Sequence, residues 1–107
     1  MMQALRRYVL PFLLAAFLAG PWLAGCAGMP HQEMSDARQA IRAAERAGAQ
    51  KHAPELLGEA KALVETARQN IRQGEYREAR DEAVLARDKA MEARRVSEAA
   101  TAGSSAP

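Results

Sequence analysis

Beyond residue 34 the apolar positions fall into three stripes of helical period, separated by short polar breaks. Ala37, Ala40, Ala44 and Ala47 recur at spacings of three and four with Ile41 beside them. That pattern predicts a first helix capped by Ser35 or Asp36 and stopped at Gly48. After the turn Gln50-Lys51-His52-Ala53, Leu57, Ala60, Val64, Ala67 and Ile71 repeat it, widened by Leu56 and Leu63. Pro54 suits the first helical position, Glu55 and Glu59 suit the positive end of the helix dipole, and Arg68 and Arg72 the negative end before Gly74. Gly74-Glu75-Tyr76 is too short for anything but an antiparallel return. From there Tyr76, Ala79, Ala83, Ala86, Ala90, Ala93, Ser97 and Ala100 give the most regular stripe in the chain. The expected fold is all-α: an antiparallel helical hairpin or three-helix bundle with an alanine-rich seam over residues 35–100, followed by a disordered tail over 101–107. Val84, Leu85, Met91 and Val96 lie off that seam and form a second, partly apolar face, which would cover the first helix or meet another chain.

The amino-terminal pattern is of another kind. Arg6 and Arg7 precede an unbroken apolar run of 12 residues, Tyr8 to Ala19, and Gly20-Pro21 breaks any helix after it. This is the length of a secretory apolar region rather than of a membrane span. Leu23-Ala24-Gly25-Cys26 resembles a bacterial lipobox, in which small residues before the cysteine fit the signal peptidase and the thiol accepts a diacylglyceryl group. The resemblance implies a signal peptide over 1–25, cleavage before Cys26, acylation of its sulfur and new amino group, and a lipidated tether over 26–34. One acyl chain binds a bilayer only marginally, whereas two or three hold it essentially permanently. By the sorting rule of such lipoproteins, Ala27 rather than Asp after the cysteine implies an outer-membrane protein facing the periplasm, with inner-membrane anchoring as the alternative. An uncleaved signal anchor over Tyr8–Gly25 is the other reading, and it leaves the helices on the same side.

Charge and composition narrow the chemistry. The net charge of +2 comes from Arg6 and Arg7, because residues 26–107 hold 13 Lys and Arg against 13 Asp and Glu. The segment after the signal peptide is neutral, so the pI of about 9.0 is no sign of nucleic-acid binding. From Cys26 onward 20 of 82 residues are alanine, so the core must be thin and depend on close backbone approach. Cys26 is the only cysteine, no serine sits beside a base, and no glycine-rich phosphate loop is present. His31 with Glu33 lies in the tether and His52 in a turn, without the spacing of a zinc site. Neither catalytic residues nor a cofactor or metal site is expected. Glu78, Asp81 and Glu82 are accounted for by the dipole at the start of the third helix, and Tyr76 by packing at the turn. Arg38, Arg42 and Arg46 recur every fourth residue on the face opposite the first stripe. A solvated face is the ordinary reading of such a pattern, and contact with a polymer or partner is the sharper one.

From Ala37 to about Arg94 the chain resembles a domain of unknown function found in bacterial envelope lipoproteins, sometimes ahead of an OmpA-like peptidoglycan-binding domain. The likeness is carried by Ala49, by Ala53-Pro54-Glu55-Leu56 with Ala60 and Leu63, and by Gly74-Glu75-Tyr76 with Ala79, Ala83 and Ala86. His52 departs from it, standing where an aromatic residue is expected. Two functions follow as expectations: a lipid-anchored structural or adaptor protein acting through helix–helix association, with a second copy or an envelope protein as partner, or a non-covalent binding module for peptidoglycan or another envelope polymer.

Overall fold

A computed structural model of the chain describes residues 28–104. These residues form four helices and no strand: α1 (His31–Arg46), α2 (Ala49–His52), α3 (Pro54–Arg72) and α4 (Tyr76–Ser104). The all-α expectation holds, and of its two architectures the three-helix bundle is the one formed, with α2 a single turn in the α1–α3 connection. α4 packs along both α1 and α3, which touch each other over a smaller area. Side-chain pairs fix the directions. Glu33 near the start of α1 meets Arg80 near the start of α4, at 3.3 Å. Late in α3, Asn70 donates to both carboxylate oxygens of Glu82 at 2.8 Å, and Glu59 early in α3 meets Lys89 at 3.2 Å. α1 and α4 therefore run parallel, with α3 antiparallel to both.

The stripes read from the sequence on α3 and α4 are buried except at their ends, Ile71, Tyr76 and Ala100, while on α1 the buried line runs through Met34 and Ile41, leaving Ala40 and Ala47 half-buried. Met34, Ala37, Ile41 and Ala44 of α1, Leu57, Ala60, Val64 and Ala67 of α3, and Ala79, Ala83, Ala86, Ala90, Ala93 and Ser97 of α4 make the core. The spacing of three and four is sustained on all three long helices, the repeat that lets helices wind around one another with a left-handed supercoil. Alanine at the α4 seam is narrow enough for two helices to share it, which is why α1 is not covered by the second apolar face of α4. Leu85, Met91 and Val96 of that face remain exposed.

Both turns use glycine where a side chain would be strained. Gly48 after α1 has φ 90° and Gly74 after α3 has φ 78°. At the second, the Gly74 N–H donates to the Ile71 carbonyl and the Glu75 N–H to that of Asn70 at 2.8 Å, which satisfies two carbonyls at the end of α3. Pro54 opens α3 as expected.

The helix limits differ from expectation at both ends. α1 begins at His31, with Pro30 at its cap, rather than after Ser35 or Asp36. Ser35 and Asp36 instead accept hydrogen bonds from Gln39 and Gln32, one turn away. The longer helix puts Met34 into the core and buries Pro30 fully, so the expected tether is part of the bundle from Gly28 onward. At the other end α4 continues through Ser104, with the Thr101 and Ser104 hydroxyls donating to carbonyls of the preceding turn. Residues 105–107 lie outside the described residues.

Candidate functional site

Leu23, Ala24, Gly25 and Cys26 precede the described residues, which start at Gly28. What the bundle shows is where it receives that segment. Arg80 of α4 donates through Nη2 to the Gly28 carbonyl at 2.8 Å and through Nε to Glu33 at 3.3 Å. One guanidinium thus ties both the entering backbone and the first turn of α1 to α4, and this end of the bundle carries the point where the amino-terminal segment joins.

The arginines expected to act together are divided by the fold. Arg42 and Arg46 line an open groove of about 660 Å³ between α1 and α4, together with Arg87 and Arg94 and floored by Ala40, Ala43 and Met91. Arg94 is held by Glu98 at 2.7 Å and Arg87 by Asp88 at 2.9 Å, whereas Arg42 and Arg46 have no ion pair among the described residues. Asp36 is the only carboxylate lining the groove, and with Arg87 and Arg94 paired, the positive charge left over there is that of Arg42 and Arg46 against Asp36. Arg38 points elsewhere. It shares a smaller cleft of about 250 Å³ with Arg68 and Arg72 of α3, at the end of the bundle where Gly28 enters.

Sequence reasoning missed Arg80, Arg87 and Arg94. They recur at seven-residue spacing beside the alanine seam, a signal present in the sequence but without chemical meaning until α1 is known to lie along that edge. Among the described residues Ser97 is the one buried polar side chain, and its hydroxyl donates to the Ala93 carbonyl at 2.7 Å. No group of three or more His, Cys, Asp or Glu side chains suited to a metal ion occurs among them, and none of their helices is long and apolar enough to cross a membrane.

Residues 32–106 match the family described as Domain of unknown function (DUF4398). The chain belongs to this family. The matched span takes in almost all of α1 and the whole of α2, α3 and α4, so family membership attaches to the bundle and its two glycine turns. It does not extend to Cys26 or the residues before it. No curated protein and no solved structure matches the chain.

Proposed function

We propose that this protein is a lipid-anchored component of the bacterial cell envelope, held in the outer membrane through acyl chains on Cys26, whose bundle acts as a structural or adaptor element by helix–helix association. Leu23-Ala24-Gly25-Cys26, in order behind a basic start and an apolar run, is the reason for the anchor. The association is supported by one observation above others. On α4, Leu85 and Val96 stand 11 residues apart, and so nearly in line on one helix face, yet are 46% and 42% exposed in a bundle with few large apolar residues to spare. The test is photocrosslinking in intact cells from positions Leu85 and Val96, with Gly58 on the exposed side of α3 as the control position. Discrete adducts with a second copy or one envelope protein from α4 alone are expected. Equal, diffuse labelling from all three positions would remove the association.

The groove between α1 and α4 favours a second reading, non-covalent binding of peptidoglycan or another anionic envelope polymer. Arg42 and Arg46, without ion pairs among the described residues, can meet carboxylates or phosphates along a chain, with Arg87 and Arg94 beside them on exposed pairs that an anionic chain can exchange. Salt-sensitive retention on purified cell wall is then expected, weakened by replacing Arg42, Arg46, Arg87 and Arg94 with Gln and left intact by Arg38→Gln. Retention that ignores both salt and the fourfold replacement would dismiss the polymer.

A further inference from the structure

The cleft that takes Arg38 has a composition the bundle does not need. Its apolar lining is Met34 and Ile71 with Met29 at the rim, and its charged lining is Arg38, Arg68 and Arg72 with no carboxylate among the lining residues. Arg68 lies 3.6 Å from Glu65, while Arg38 and Arg72 have no ion pair among the described residues. Glu33, the nearest acidic residue on the entering turn, is already engaged by Arg80. Met29, at the mouth, is 42% exposed. Three cations beside an apolar lining make a site for an anionic amphiphile, with the guanidinium groups on its phosphate and the methionines against its glycerol and first methylenes.

Position decides which amphiphile. Gly28 is fixed to the bundle by Arg80, and only Ala27 separates it from Cys26, a reach of no more than about 7 Å over two residue steps. The headgroup layer on each side of a bilayer is about 5 to 8 Å deep. A cleft formed by Met29, Pro30 and His31 on one side therefore lies against that layer once Cys26 carries its acyl chains.

We propose that this cleft binds the phosphate of an anionic phospholipid in the same bilayer that holds the protein. The site rests on the anchoring of Cys26 proposed above and adds to it a headgroup preference and an orientation. The α3–α4 turn faces the membrane, and α4, roughly 43 Å long at 1.5 Å per residue, carries its carboxyl end and the arginine groove away from it.

The experiment uses the full-length protein produced in bacteria, extracted and reconstituted in vesicles of phosphatidylcholine alone or with phosphatidylglycerol. Mass spectrometry reads two things in each sample: the acyl groups on the amino-terminal peptide, and the rate at which phenylglyoxal modifies each arginine. Arg38, Arg68 and Arg72 are expected to react about fivefold or more slowly in the phosphatidylglycerol vesicles, the factor one arginine gains near an anionic surface. Arg46 and Arg95 are expected to keep their rates, and 0.5 M salt to abolish the difference, as a screening length near 4 Å at that strength requires. An acylated protein with equal rates in both vesicles overturns the lipid site and leaves the anchor standing. Equal protection by inorganic phosphate in phosphatidylcholine vesicles also overturns it, because the ligand is then not the bilayer. An unacylated amino-terminal peptide overturns the anchor, and the cleft's placement with it.

Discussion

Gly58 is a glycine in a place where the fold makes no use of one. It lies in the interior of α3, is exposed, and a Cβ built there would meet nothing within 4 Å. Glycine costs a helix interior about 1 kcal/mol relative to alanine, so Gly58→Ala should stabilise the bundle by nearly that amount and raise the melting temperature by about 4 to 8 °C. Thermal unfolding followed by circular dichroism reads it directly. Ser97 gives a contrast. Its hydroxyl is satisfied within its own helix at a seam otherwise lined by alanine, so Ser97→Ala removes no contact between helices. The expected change is within about 0.5 kcal/mol, on the stabilising side. Arg80 belongs to neither class, because Arg80→Ala removes its pair with Glu33 and its bond to the Gly28 carbonyl together. Global stability should fall by about 1 to 2 kcal/mol, and amide exchange should quicken selectively over the first turn of α1.

At the scale of the element, the α4 seam governs how closely the other helices approach. Ala83, Ala86 and Ala90 have no exposed surface on a helix that packs along two others, so a larger side chain has nowhere to go. At concentrations low enough for the protein to be monomeric, Ala86→Leu should cost about 1 to 3 kcal/mol despite its higher apolar content, whereas Leu85→Ala, one residue away on the exposed face, should change stability by less than about 0.5 kcal/mol. Urea midpoints of the two variants decide it. The seam was legible because its spacing never breaks from Tyr76 to Ala100, and the turns because Gly48, Pro54 and Gly74 each have one conformational use. The start of α1 was not. Ser35 and Asp36 are strong local caps, but burial of Pro30 and Met34 against the other helices outweighs a cap of about 1 kcal/mol. For the same reason the Arg38, Arg42 and Arg46 stripe could be read as one unit, although the neighbours of α1 divide it between two clefts.

On the scale of the whole molecule, the bundle has an end and a side with different tasks in this account. Under the proposed anchoring, the end that receives Gly28 would meet the bilayer, and the sides of α4 and the arginine groove would face what lies beyond it. A core built largely of alanine buries little apolar area per residue, so association through Leu85 and Val96 should add measurable stability. Sedimentation of the segment from residue 27 onward should therefore give a mass that rises with concentration, and Leu85→Glu with Val96→Glu should return it to the monomer. The proposed membrane placement depends on Cys26. The most direct measurement is metabolic labelling with a fatty acid in a bacterial host, comparing the natural protein with Cys26→Ser. The account predicts label on the natural protein alone, and loss of both label and membrane retention in the variant. An unlabelled natural protein, or a Cys26→Ser variant retained in membranes to the same extent, would contradict it.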